Sequence, residues 1–431
     1  MKSFSADSFA RDNVDVLKRS FATPERDPRN LFTDFQWYLY NGRDTVFFVV
    51  ALRTAQTRDT LSTLVAQMTA LAPQLTTGFV GARPGEPLSE KMLEAIISIE
   101  EVDDFDDYPD KWLGKSHDLF DRNDLPLFRL AAIVRRGGPD KLGRAAMIQF
   151  RASHALLEGA DSALLMRSQS ASHGNMSDRA RKVEPFKRAG RAVLGWGLSA
   201  ALLSAAYLLP SRDVAWGFKT LAIKRQRLRK LAQRIGISQR SLYFSLVEFA
   251  LNGDGGALGR RFVSTNYTVL SEHRNNADDE FFRVRTVGAR FRIRSDFVSF
   301  ARGVEARARR LERKETTDFQ LILNSSFAPL RWLHRKTRGR LPGYRFWNVV
   351  VPGKHIVLTL TPPHRAFGPF SADMIEPIYC GAWHNAANMC TFCPGRQYVT
   401  FNFSLAEHLL QEVDSIETLL QELETMSIPP T

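Results

Sequence analysis

Cysteine is scarce in this chain, with three in 431 residues. Three thiols cannot all pair, so a disulfide framework is excluded as the main source of stability. The opening stretch, MKSFSADSFARDNVD, mixes charge and has no apolar run. No secretory signal is therefore expected, and the default compartment is the cytoplasm. No repeat of fixed period and no long low-complexity tract is visible. Against these absences stand 44% apolar and 24% charged residues, an ordinary globular balance. That balance excludes a disordered chain, a collagen-like chain and a polytopic membrane protein. The length allows two or three domains with self-sufficient cores.

Acidic residues are lacking in one place in particular. The whole chain carries a formal net charge of +13. Residues 179–240 hold fifteen basic residues against two acidic ones, Glu184 and Asp213, so this segment alone accounts for the excess. The charge is a local device, and its partner is an anionic one: nucleic acid, an anionic membrane surface or a phosphate-bearing ligand. Residues 86–124 are strongly acidic and include Asp103, Asp104, Asp106 and Asp107. They are read as a solvated loop.

Strand and helix patterns alternate. Residues 45–53 (TVFFVVALR) are apolar and β-branched, which predicts a strand. Residues 58–71 place Leu61, Leu64, Val65 and Met68 on one helical face. Strands are expected at 127–134 and 145–151, a helix at 156–166, and a small, polar linker at 168–177. The second half repeats the alternation. Helices are expected at 241–251 and 297–311, and strands at 281–293, 344–351, 355–361 and 397–403. An acidic amphipathic helix is expected over 405–426. The pattern predicts a mixed α/β protein split near residue 175. Its parts are an N-terminal lobe (1–175), a basic and apolar connecting segment (176–240) and a C-terminal lobe (241–431).

The stretch most informative about chemistry is 147–166, MIQFRASHALLEGADSALLM. An apolar strand through Ile148 and Phe150 runs into Ser153, His154 and, four residues further, Glu158 and Gly159. An imidazole at a strand end titrates near neutral pH and can take a proton from an attacking alcohol or amine. A carboxylate at that spacing can orient the turn or pair with an arginine. Gly159 permits close backbone packing beside them.

These residues resemble the His-His-x-x-x-Asp-Gly signature of acyltransferases with the chloramphenicol acetyltransferase-like fold. That group includes bacterial wax ester synthase/diacylglycerol acyltransferases and the condensation domains of peptide synthetases. The resemblance makes His154 the general base, with Ser153 in place of the first His and Glu158 in place of the Asp. Pro126-Leu127-Phe128-Arg129 is similar to a Pro-Leu-Trp motif of the wax ester synthase group. Residues 347–353 (WNVVVPG) look like a Ser-Asn-Val-Pro-Gly-Pro stretch, and residues 238–252 stand where that group has an Asn-Asp-containing helix. The resemblance implies two lobes forming a pseudo-dimer about a central tunnel. It also implies acyl transfer from acyl-CoA or an acyl carrier protein to a hydroxyl, with no metal or redox cofactor. Asn348 is a candidate for the tunnel or oxyanion donor. The alternatives are condensation-type ester or amide formation on a carrier protein, and a binding homologue that has lost the chemistry.

Three further patterns were weighed. Cys380, His384, Cys390 and Cys393 are ligand types that zinc accepts, and Cys390-x-x-Cys393 has zinc-turn spacing. Reduced cysteines in a core are the competing reading. Residues 192–209 (AVLGWGLSAALLSAAYLL) are 18 uncharged residues, at the lower limit of a membrane span. A single span would separate two lobes that share one site, so reversible binding to an anionic membrane surface through residues 187–234 is expected instead. Residues 231–246 (LAQRIGISQRSLYFSL) superficially resemble a helix-turn-helix, which keeps DNA as a minor alternative partner.

Overall fold

The computed structural model describes residues 40, 45–71, 73–82, 86–105, 119–120, 122, 124–156, 190, 193–197, 200, 216–252, 262–270, 284–292, 296–312, 329, 331–332, 336, 356–360, 373–383, 388–395 and 397–426. They form two mixed sheets. The first has the strand order β2-β3-β4-β1-β9, from Thr45–Leu52 (β1), Ile97–Val102 (β2), Phe128–Arg135 (β3), Ala146–Ser153 (β4) and Met374–Trp383 (β9). Only β2 and β3 run parallel in it; the other neighbours are antiparallel. Every residue of β1 and β4 is buried, as expected of central strands covered on both faces. The helix α1 (Arg58–Leu71) turns Leu61, Leu64, Val65 and Met68 onto one face of this sheet, as its spacing predicts.

The second sheet has the order β5-β11-β10-β8-β6-β7. Its strands are Trp216–Lys224 (β5), Phe262–Leu270 (β6), Val284–Arg292 (β7), Ile356–Leu360 (β8), Asn388–Pro394 (β10) and Tyr398–Ala406 (β11). Its core is covered by Arg225–Ile235 (α3), Gln239–Asn252 (α4), Phe297–Glu312 (α5) and Ser415–Thr425 (α6). A short helix α2 (Glu90–Ile96) leads into β2 in the first sheet.

Several expectations change here. The edge strand β2 and helix α2 occupy part of the acidic stretch read as a loop. Ile97 is buried while Glu100 and Glu101 stay in solvent, which is how an edge strand tolerates charge. The expected helix 405–426 is broken. Leu405 and Ala406 continue β11 against Gly217 and Trp216, and a tight 3-10 stretch (Glu407–Asp414) precedes α6. The connecting segment 176–240 is not a separate unit. Its last part supplies β5 and α3 to the second sheet and core. The C-terminal lobe is not self-contained either, because β9 pairs with β1 in the first sheet. Asp373 fixes this crossing. Its carbonyl accepts from Arg53 N–H at 3.0 Å, and its carboxylate accepts from the hydroxyl and backbone N–H of Thr54. The expected strand 344–351, the expected helix beyond Leu156 (157–166) and the linker 168–177 lie outside the described residues.

Candidate active site

Alternation along β4 sorts its side chains. Ile148, Phe150 and Ala152 enter the core under α1. Met147, Gln149, Arg151 and Ser153 point to the opposite face. Register adds Thr45, Phe47 and Val49 from β1, and Arg129 and Ile133 from β3, to that same face. In the second sheet the core takes Val399, Phe401, Phe403 and Leu405 of β11. Thr400, Asn402 and Ser404 therefore point the other way, beside Phe218 and Thr220 of β5 and Thr391 of β10. Phe47 meets Phe218 at 6.0 Å with the rings 70° apart, so these two faces are turned toward one another where they touch.

This seam between the sheets is buried and mixed: Phe47, Val49, Ile133 and Met147 pack with Phe105 and Phe218 as an apolar cluster, and polar side chains lie beside them. Gln149 is 1% exposed and Arg151 3%. Three buried oxygens on the two faces, Thr45 Oγ1, Gln149 Oε1 and Ser404 Oγ, have no hydrogen-bond partner among the described residues. Natural interiors leave few such groups, and those they leave mark places that water or a ligand reaches.

His154 is the first residue after β4. It is half-buried in a turn whose other members are fully buried. The turn is closed by Leu156 N–H donating to the Ser153 carbonyl at 3.0 Å and by Ala155 N–H donating to Ser153 Oγ at 3.2 Å. Ser153 N–H donates to the Leu127 carbonyl at 2.8 Å. The guanidinium of Arg129 donates to the carbonyls of Pro126 and Phe128, both at 2.7 Å. The Pro126–Arg129 motif and the His154 turn are thus one hydrogen-bonded unit at one end of the first sheet. Thr45 at the start of β1 stands between Ser153 and Trp383 in register at that same end.

Comparison with known proteins decides the fold. No sequence-family model matches the chain, and no curated protein sequence matches it. Solved structures do. The first condensation domain of the calcium-dependent antibiotic synthetase, in complex with a substrate analogue, superposes with a TM-score of 0.52 at 13% identity. That superposition covers 91% of this chain and 94% of that one. The chain has the condensation-domain fold. The cyclization-docking bidomain of EpoB from Sorangium cellulosum superposes with a TM-score of 0.52 at 12% identity, covering 99% and 94%. The nonribosomal peptide synthetase FmoA3 superposes with a TM-score of 0.51 at 13% identity, covering 93% of this chain and 43% of that one. The condensation-domain fold is the chloramphenicol acetyltransferase-like one that the His154 motif implied.

The remaining candidates fall out as follows. Ser153 is 0% exposed, and its hydroxyl is engaged within its own turn, so it is not placed as a nucleophile. Glu158, Gly159, Asn348 and His384 lie outside the described residues, as does 347–353. Cys380 sits on β9 opposite Phe48. Cys390 and Cys393 do not converge. Three residues apart on a strand, they face opposite ways, Cys390 into the second core and Cys393 against the first. Burial, with Glu248 nearby, pushes the Cys390 thiol well above its ordinary range, which disfavours the thiolate that zinc needs.

The helix-turn-helix resemblance is local only. Gly236, at φ 79°, ends α3 in a left-handed cap, with its own N–H and that of Ile237 both donating to the Ala232 carbonyl at 3.0 Å. The following helix α4 is buried along most of its length and cannot enter a groove. Much of the basic charge at 216–234 is also used internally. Arg227 bridges Glu417 and Glu424, Lys219 meets Asp414 at 2.7 Å, and Arg234 donates to the carbonyls of Leu423 and Glu424. Within 187–234, Lys219, Arg227 and Arg234 are thus engaged internally, while Lys224, Arg229 and Lys230 stay exposed. Among the described residues, no helix is long and apolar enough to cross a membrane.

Sequence reading missed Gln149 and Arg151. The signal was present, since Gln149, Arg151 and Ser153 recur every second residue in an otherwise apolar strand.

Proposed function

We propose that this chain catalyses condensation-type acyl transfer, forming an ester or amide from an acyl group carried as a thioester on a carrier protein. His154 is the general base. Its ring nitrogen takes the proton from the attacking hydroxyl or amine as the new C–O or C–N bond forms. The tetrahedral intermediate then expels the carrier thiolate by breaking the C–S bond. The observation that carries this reading is the placement of His154. A partly buried imidazole stands on a turn clamped to Leu127, at the end of a sheet whose buried seam-facing side carries Gln149 and Arg151 beside an apolar cluster. Gln149 and Arg151 on that face are groups that an extended, hydrogen-bonding carrier arm can use. The condensation-domain neighbours likewise favour a carrier-bound donor over acyl-CoA, and wax ester synthesis from acyl-CoA becomes the secondary reading.

The test is product analysis by mass spectrometry. Wild type and His154→Ala are each given acyl carrier thioesters and acyl-CoA, with a panel of alcohols and amines. Product from carrier thioesters that is lost in His154→Ala supports the proposal. Product from acyl-CoA alone returns the reading to the secondary one. No product from wild type with any donor supports a binding homologue.

A further inference from the structure

Two stretches far apart in the chain meet at an aromatic pair. The backbone is helical at 193–197, and Trp196 there meets Trp332 at 5.8 Å with the rings 63° apart. Both rings belong to residues that are 49% exposed, and beside them Val193 is 71% and Leu194 56% exposed. Val193, Trp196, Gly197 and Ala200 are all exposed at helical spacing. The apolar stripe of this segment thus faces outward, and its members belong to neither core. Large apolar residues that cluster on a surface mark a contact site.

The charge around both stretches has one sign. Lys187, Arg188 and Arg191 precede the helical segment, and no acidic residue occurs at 185–212. Arg335, Lys336 and Arg338 follow Trp332, and no acidic residue occurs at 319–372. The Lys336 ammonium lies 5.9 Å from the centre of the Trp332 ring. Of the basic residues of 216–234, Lys219, Arg227 and Arg234 are engaged by residues 410–424.

We propose that this two-part patch seats the protein on an anionic lipid bilayer. The indoles, Val193 and Leu194 enter the headgroup boundary, where an aromatic ring with a polar N–H is well placed. Lys336, beside the Trp332 ring, meets the lipid phosphates, and the basic composition of the flanking sequence adds to the attraction. Single-stranded nucleic acid could use the indoles and the charge, but the exposed aliphatic Val193 and Leu194 at helical spacing are what a bilayer surface rewards. The proposal is independent of the acyl-transfer reading, and its test needs no turnover.

The experiment is vesicle flotation of the full chain. Phosphatidylcholine vesicles are compared with vesicles that also contain phosphatidylglycerol, at low and high salt. The expected result is flotation with the anionic vesicles only, falling as salt rises. Trp196→Ser/Trp332→Ser is expected to lower the bound fraction about tenfold or more. Leu194→Ser, at an exposed site, gives an independent reduction should the double variant fold poorly. Equal recovery with neutral and anionic vesicles overturns the proposal, as does undiminished binding by both variants. Retention on an immobilised acyl carrier protein or on RNA that these variants abolish, with vesicle binding unchanged, would assign the patch to that partner instead.

Discussion

Ser153 N–H donates to the Leu127 carbonyl at 2.8 Å, and this bond fixes where His154 stands. It joins the first residue of the turn to the residue before β3. Arg129 then holds the preceding carbonyls in place from the next strand position but one. The imidazole is therefore positioned by backbone bonds rather than by side-chain packing alone.

His154→Ala is expected to lower the rate of product formation by roughly 10²- to 10⁴-fold, the range for loss of a general base. Thermal unfolding should move by much less than the activity does, because the side chain is only partly buried and the turn is closed by backbone groups. A large loss of stability with no loss of turnover would show that His154 is structural.

Ser153→Ala separates the two roles that a Ser-His pair suggests. The hydroxyl accepts from Ala155 N–H in a fully buried turn. Its removal should cost about 1–2 kcal/mol of stability, measured by urea unfolding. Turnover should fall severalfold at most. Complete loss of activity in a folded variant would make Ser153 a nucleophile instead.

Glu305 links α5 to the start of α4. Burial pushes its carboxyl up, but it accepts from the hydroxyl and the backbone N–H of Ser238, and from Arg309, and these outweigh burial to leave it at about 2. The folded value lies below the ordinary 4.5, so the contribution is present above pH 4.5 and is lost as pH falls toward about 2. Glu305→Gln should unfold more readily than wild type near neutral pH, with the difference shrinking across that acid window. A pH-independent difference would contradict the assignment.

Arg227 bridges Glu417 and Glu424, and its guanidinium is held above its ordinary range by the hydrogen bond it donates to Glu424. Arg227→Met should cost about 1 kcal/mol or less, as expected of a partly exposed network, and the loss should shrink in high salt. Hydrogen exchange should locate the effect in Ser415–Thr425. Weaker vesicle binding by this variant would instead make Arg227 part of the lipid surface.

The buried thiols of Cys390 and Cys393 should react with a thiol reagent only as fast as the protein opens. The check is a comparison of labelling rates in buffer and in denaturant. Rapid labelling of both in buffer would refute their burial.

The sequence by itself determined the local elements around the site. The β-branched and aromatic run of β1, the one-sided face of α1, and the strand that ends at His154 were legible, because each depends on residues within a few positions. The motif also pointed to the right fold. Sheet membership was decided only in the tertiary structure. Thr54 and Asp373 are 319 positions apart, and no local pattern announces that β9 leaves its own half to pair with β1. The same holds for the basic excess. Composition located it at 179–240, but only packing divides that stretch into structural charge bonded to the C-terminal helix and a surface where Trp196 meets Trp332. Charge count is additive along a chain, whereas its use depends on which carboxylates and carbonyls the fold brings within reach.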